Sequence, residues 1–226
     1  MMNIIKAKKR ERSNQYLKDR DLFWESKIEE FTKKSQPLWN GDVYYLDFKE
    51  GNSLYLGLCE YKDIIFCEEK GSEEISEKYG KEHVFTYLNV QILINYKDLH
   101  LFGTKQVGDT REIICVGGTL RLEDGQKIES FENVVEYAKK EVDVETKLDI
   151  RRDDLEFLYF IFNENIGSFI FQYNLENKKD SGVLNIGEFD GEVYLDKKDV
   201  YNSNEYTPNI RLRSIKSFLQ DLWKIK

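Results

Sequence analysis

Residues 115–145 constrain the fold of this chain more than any other stretch. An apolar segment that ends in Cys115 and Val116 runs into Gly117-Gly118, and a polar loop then leads to a helix that begins at Ser130. The Ser130 hydroxyl can accept a hydrogen bond from a backbone N–H two or three residues later, as residues at helix starts often do. The pattern predicts a strand, a tight turn, a loop and a helix, in that order.

Apolar residues recur at intervals of three and four along this helix, which predicts one buried face. The apolar positions are Phe131, Val134, Val135, Ala138 and Val142. Glu141 and Glu145 lie one turn apart at the edge of this stripe, with about 5 to 6 Å between their Cβ atoms. The two carboxylates could share a magnesium ion, which takes oxygen ligands together with water and substrate phosphates. Alternatively, both are solvated charges beside an apolar stripe.

The glycine pair, the loop and the acid-bearing helix resemble the Nudix box, G-x5-E-x7-R-E-U-x-E-E-x-G-U, where U is apolar. The chain can be aligned with the box in two registers. In the first, residues 136–144 lie under R-E-U-x-E-E-x-G-U, and Glu141 is the only glutamate of this part of the box that the chain retains. A second register places residues 140–148 there and keeps Glu141 and Glu145, with Glu132 as the upstream acid. Glu141 is a candidate metal ligand in both registers.

Further segments are similar to the Nudix branch that hydrolyses nucleoside diphosphate sugars. These segments are residues 38–45, 56–63, 79–83, 158–164 and 207–211. They occur in the family's order over most of residues 36–226. The resemblance implies an α/β fold, a Nudix-like α/β/α sandwich with a mixed central sheet, in residues 37–226. Residues 1–36 are predicted to be a charged, helical amino-terminal extension.

The resemblance also implies an activity, which is cleavage of the diphosphate linkage of a nucleoside diphosphate derivative such as a nucleotide sugar. Magnesium or manganese would offset the charge of the diphosphate and lower the pKa of the attacking water. The candidate metal ligands are Glu141, Glu145 and Glu136, and the first two are also the candidate catalytic residues. The candidate substrate-binding residues are Gly117, Gly118, Lys105 and Arg111. An ordinary turn at the glycine pair and solvated basic side chains are the alternatives.

A second function remains open because the box is degenerate. Few of its carboxylates remain, and Lys140 brings a positive charge to a position where the cation would bind. Two like charges 4 Å apart repel by about 4 kcal/mol at an effective dielectric constant of 20. The alternative is therefore an inactive Nudix-fold protein that binds a nucleotide ligand or a protein partner.

Composition restricts the partners and the location. The chain has 34 basic and 42 acidic residues and a net charge of −8, so nucleic acid and membrane partners are not expected. The three cysteines are widely spaced among apolar residues, which predicts reduced thiols rather than disulfides. There is no signal-like or membrane-spanning apolar run, so a cytoplasmic location is predicted. The basic run over residues 6–12 is either a phosphate-binding arm or a solvated terminus.

Periodicity predicts the remaining elements. Residues 6–35 are expected to form a helix with Leu17, Trp24, Ile28 and Phe31 on its apolar face. Strands are expected within residues 39–66, 84–94, 99–105, 155–162, 167–173 and 184–195. A last helix is expected to begin at Pro208, capped by Thr207. Its buried face would consist of Ile215, Phe218, Leu219 and Leu222.

Overall fold

The computed structural model describes residues 2–33, 38–122, 127–146, 148–162, 166–175, 189–202, 205–209, 216–217 and 219–220. The chain divides into two compact units. The first comprises Met1–Leu88, Thr119–Asn133 and Glu164–Gly167, and the second comprises Asn89–Gly118, Val134–Asn163 and Ser168–Lys226. The amino-terminal residues therefore belong to a unit that continues to Leu88.

The sheet of the first unit contains parallel and antiparallel pairs. Its strands are β1 (Asn3–Lys6), β2 (Asp42–Glu50), β3 (Ser53–Glu60) and the first residues of β4 (Thr86–Tyr96). β1 runs parallel to β3, and β2 runs antiparallel to both β3 and β4. Tyr45 of β2 lies opposite Gly57 of β3 and opposite Tyr87 of β4. Strand β1 is absent from the sequence prediction, because four residues give too short a pattern and its partner β3 is distant in sequence.

Three helices complete this unit, namely α1 (Asn14–Lys33), α2 (Tyr61–Lys70) and α3 (Ser72–Tyr79). Helix α1 begins later than predicted, because the Tyr16 N–H donates to the Ser13 hydroxyl over 3.2 Å and so caps the helix there. Its buried side chains are Tyr16, Arg20 and Trp24. The predicted apolar face is thus wrong at Ile28, which is 45% exposed.

Residues 61–66, predicted to continue a strand, belong to α2. The Asp63 carboxylate accepts from the backbone N–H of Glu60 over 3.0 Å, which is one half of a capping box at the end of β3. The core of this unit includes Tyr16, Ile64 and Phe66, so α1 and α2 both contribute to it.

The second unit contains the rest of β4, β8 (Ile166–Asn174) from Ser168 onward, and strands β5 (Leu99–Val107), β6 (Thr110–Ile114), β7 (Glu156–Phe162), β9 (Gly191–Asp196) and β10 (Thr207–Pro208). Strand β5 is antiparallel to β4, β6 and β9. The predicted strands over 84–94 and 99–105 are confirmed and form a hairpin, and those over 155–162 and 167–173 are confirmed and pair with each other. The α/β class with a mixed sheet is therefore confirmed as well.

Helix α4 (Phe131–Glu145) lies where the sequence places it. The Asn133 N–H donates to the Ser130 hydroxyl over 3.3 Å, and the Ser130 N–H donates to the Asn133 side-chain oxygen over 3.0 Å. These reciprocal bonds have the form of a capping box and start the helix at the predicted residue. All three cysteines are buried and reduced, as predicted.

The predicted helix start at Pro208 is wrong. Thr207 and Pro208 form a short strand parallel to β6, and the Asn209 N–H donates to the Ile113 carbonyl over 3.1 Å. Leu219 is helical and fully buried, but Ile215, Phe218 and Leu222 lie outside the described residues. Residues 184–188 of the predicted strand over 184–195 also lie outside them. In the part of the chain that the structure describes, no helix has the length and apolar character needed to span a membrane.

Candidate functional site

Helix α4 buries both acids at the edge of its apolar stripe. Glu141 is 7% exposed and Glu145 is 4% exposed, while Val134, Ala138 and Val142 are fully buried. The interpretation of these acids as solvated charges is therefore wrong. A buried carboxylate has to be hydrogen-bonded, paired or bound to a metal, so its surroundings show its role.

Glu145 is held by the backbone of the glycine pair. The Gly117 N–H donates to Glu145 Oε2 over 2.7 Å, and the bond is buried. Gly117 has a φ of +129°, and a Cβ at this position would overlap the Val90 carbonyl oxygen. Only glycine fits there, so the N–H that orients Glu145 depends on this residue.

Glu141 lies against the second glycine of the pair. A Cβ on Gly118 would overlap Oε2 of Glu141, which means that the carboxylate occupies the space of the missing side chain. Residues 116–118 run beside β4, where the Val90 N–H donates to the Gly118 carbonyl over 2.9 Å. The Ile92 N–H donates to the Val116 carbonyl over 2.8 Å. Two successive glycines on a fixed backbone thus contact two acids one helical turn apart.

This arrangement fits a divalent cation that takes only part of its ligands from protein. Magnesium is usually bound by one or two carboxylates and completes its octahedron with water and phosphate oxygens. Among the described residues, no group of three or more His, Cys, Asp or Glu side chains is placed to hold a metal ion. Glu141 and Glu145 could therefore hold such a cation only together with ligands that are not protein side chains, such as water or phosphate oxygens.

The structure does not bring Glu136 to this pair. Its side chain is 46% exposed and lies 3.7 Å from Nε of Arg152. With 3.6 residues per turn, nine residues separate Glu136 and Glu145 by two and a half turns and place them on opposite faces of the helix. Lys140, next to Glu141 in sequence, is half-buried.

Lys105 and Arg111 are exposed residues of the β5–β6 hairpin. The Arg111 guanidinium donates to the Thr104 hydroxyl over 3.4 Å and lies 5.5 Å from the ring centroid of Tyr206. No contact among the described residues joins Lys105 or Arg111 to the glycine pair or to the two glutamates. Their predicted role in phosphate binding stays a prediction.

Sequence reasoning missed two buried amides in β4. Asn89 is fully buried, and neither polar atom of its side chain has a hydrogen-bond partner in the described part of the chain. Gln91 is 1% exposed, and its Nε2 donates to the Ser168 hydroxyl over 3.1 Å. The alternation of these amides with Leu88, Val90 and Ile92 could have indicated them. Successive side chains of a strand point to opposite faces, so amides at alternate positions of a central strand share one buried face.

No protein-family model matches the sequence, and no curated protein matches it. Solved structures are similar to it at low identity. A Nudix-family hydrolase from Clostridium perfringens is 15% identical, over 60% of this chain and 97% of that chain, with a TM-score of 0.38. An Ap4A hydrolase from C. elegans is 14% identical, over 61% of this chain and 96% of that chain, with a TM-score of 0.40. At these values, similarity does not assign the chain to a family.

Proposed function

We propose that this chain is a divergent Nudix-type hydrolase that cleaves the diphosphate linkage of a nucleoside diphosphate derivative, a nucleotide sugar, with magnesium. The observation that carries the proposal is the buried pair of Glu141 and Glu145 against Gly117 and Gly118. Two acids a turn apart on one helix, beside a glycine turn, would share a cation whose other ligands are water and phosphate oxygens.

The end of α4 supports the second register of the box. The helix ends at Glu145, so in this register the glycine of the pattern comes after the last helical residue in sequence. In the first register this glycine would fall at Asp143, inside the helix, where glycine is unfavourable. The second register is also the one that keeps both buried acids.

The chain's own residues orient the proposed reaction. A bound magnesium ion would offset the diphosphate charge and lower the pKa of the attacking water. Glu141 and Glu145 would hold it, and the Gly117 N–H fixes the orientation of the Glu145 carboxylate. Water adds its oxygen to one phosphorus, and the bond from that phosphorus to the bridging oxygen breaks. The products are a nucleoside monophosphate and a sugar phosphate.

The proposed partner is a small molecule, and the net charge of −8 argues against nucleic acid. A diphosphate is itself anionic, so its binding to an acidic chain needs a cation or a local basic group. The cytoplasmic location predicted from the sequence stays a prediction.

Turnover of nucleotide sugars tests the proposal. The full chain is incubated with UDP-glucose and a panel of other nucleoside diphosphate sugars while magnesium is titrated, and nucleoside monophosphate is measured. We expect magnesium-dependent release that falls by about 100-fold or more in Glu141→Gln and in Glu145→Gln, because each loses a ligand charge. Glu136→Gln, on the exposed face, should keep its activity.

Two results would contradict the proposal. One is unchanged turnover in Glu141→Gln. The other is binding of the nucleotide sugars without any product across the panel, which would favour the inactive, ligand-binding alternative.

A further inference from the structure

A cavity of about 460 Å³ lies within the first unit. Its walls come from residues 6–12 after β1, from β2 and β3, and from residues 127–129 before α4. Glu141, Glu145 and the glycine pair belong to the second unit and do not line this cavity. A volume of this size is within the range of about 300 to 1,000 Å³ that is typical of small-molecule sites.

Four cationic side chains line the cavity, namely Lys6, Lys9, Arg12 and Lys127. Within the described ranges, Lys6, Lys9 and Lys127 form no hydrogen bond or ion pair with another side chain. Some other lysines of this unit are paired, such as Lys27 with Glu69 at 2.8 Å. The charge of the three cavity lysines is therefore available to an anionic ligand.

Arg12 adds a fixed donor to this group. Its Nη2 lies 2.8 Å from Oδ2 of Asp63, and its guanidinium carbon lies 5.3 Å from the ring centroid of Phe85, so the side chain is held on two sides. Its Nε is buried and finds no acceptor among the described residues. A buried N–H is rarely left without a partner, so an oxygen supplied by a ligand would complete this guanidinium.

The remaining wall combines apolar and acidic side chains. Ala7, Leu56, Leu58 and Ile128 form its apolar part. Leu58 is 40% exposed although it is part of a strand. Carboxylates accept hydrogen bonds and repel phosphate, so those of Asp42 and Glu129 suit hydroxyl groups of a ligand.

We propose that this cavity binds a phosphorylated small molecule whose body carries both hydroxyl groups and an apolar face, as a sugar phosphate or a nucleoside monophosphate does. The lysines and Arg12 bind the phosphate, Asp42 and Glu129 accept from the hydroxyls, and Leu58 and its apolar neighbours contact the body. The site does not depend on the proposed hydrolysis, because it shares no residue with it.

Calorimetric titration of the full chain tests this site. The probes are UMP, glucose 1-phosphate and inorganic phosphate, in buffer with EDTA so that no divalent cation bridges a probe to Glu141 or Glu145. We expect UMP or glucose 1-phosphate to bind more tightly than inorganic phosphate. Lys6→Ala combined with Lys127→Ala should weaken binding about tenfold or more, because charge-assisted contacts are lost.

The matched control combines Lys49→Ala with Lys81→Ala, which removes the same charge from exposed residues outside the cavity. This control should bind as the wild type does. Leu58→Asp should weaken the two organic probes more than inorganic phosphate. Glu141→Gln should bind all probes normally, even if the proposed hydrolysis fails.

Any of four results overturns the proposal. These are no binding of any probe to the wild type, unchanged affinity in the cavity variant, an equal loss in the control variant, and loss of binding in Glu141→Gln. The last result would place the bound probe at the hydrolytic site.

Discussion

The two units bury carboxylates in different ways. In the first unit Asp63 is fully buried, and four donors engage it from three sides. Its Oδ1 accepts from Arg20 over 2.7 Å and from the Tyr16 hydroxyl over 3.2 Å. Its Oδ2 lies 2.8 Å from Arg12 Nη2 and accepts from the Glu60 N–H over 3.0 Å. Asp63 thus connects α1, α2 and the segment before α1.

In the second unit Glu141 and Glu145 rest on the backbone of one glycine turn. The comparison separates an acid that joins several elements from an acid pair that we propose binds a ligand. An acid that joins several elements through side chains should control stability when it is changed. Replacing either member of the pair by an amide of the same shape should weaken metal binding more than stability, because the amide oxygen still accepts a hydrogen bond.

The largest stability effect should come from Asp63→Ala. Removing this carboxylate leaves Arg20, which is 3% exposed, without its main partner. We expect the free energy of unfolding, measured by urea denaturation, to fall by about 3 to 5 kcal/mol. Glu141→Gln, in the same assay, should lose about 1 kcal/mol or less. Equal losses in the two variants would remove the distinction between structural and ligand-binding acids.

The next largest effect should come from Gly118→Ala, because the added methyl group overlaps the Glu141 carboxylate. We expect a loss of about 1 to 2 kcal/mol from overpacking, because the overlapping carboxylate is the end of a side chain that can shift. Glu141→Ala should restore part of this loss in the double variant, and a double-mutant cycle measures the coupling. Additive effects would show that Gly118 and Glu141 do not contact each other.

The buried amides of β4 extend the comparison to polar groups without charge. Asn89→Leu should raise the free energy of unfolding by about 1 to 2 kcal/mol, because it removes a buried amide that lacks a partner among the described residues. Gln91→Leu should lower it, because the Ser168 hydroxyl loses its donor. Destabilisation by Asn89→Leu would show that a bound water or another group satisfies this amide.

The smallest effect concerns alkaline pH and the core around Asp63. Burial, with the nearby Asp63 charge among the lesser causes, raises the pKa of Cys67 from 9.0 to about 11. The folded state therefore favours the neutral thiol, so stability is complete below pH 9 and is lost as the pH rises toward 11. We expect the free energy of unfolding to fall by about 1 kcal/mol between pH 8 and pH 10 from this group. The slope should be smaller in Cys67→Ala, and an identical slope would contradict the assignment.

The sequence predicted what depends on local pattern. The Ser130 cap, the stripe of α4 and the strands β4 and β5 follow from periodicity and capping, and the structure has them. Periodicity placed Glu141 and Glu145 at the edge of the apolar stripe. It does not show whether a side chain at that edge is buried or exposed. Their burial depends on the glycine pair, which lies far away in sequence and leaves space for carboxylates.

The remaining errors also come from distant contacts. Pro208 after Thr207 is a common helix start, but proline also suits a strand at the edge of a sheet. Pairing with β6 makes this segment a strand rather than a helix start, and the local sequence pattern does not predict that pairing. Similarly, the burial of Arg20 follows from its bond to Asp63, which is distant in sequence.

Divalent cation binding tests the central claim most directly. Binding of Mn²⁺ to the full chain is measured by electron paramagnetic resonance, with and without UDP-glucose. The account predicts binding that UDP-glucose strengthens, that falls by about 100-fold or more in Glu141→Gln and Glu145→Gln, and that Glu136→Gln leaves unchanged. Equal Mn²⁺ affinity in the wild type and Glu141→Gln, or the same loss in Glu136→Gln, would contradict a metal site at the glycine pair.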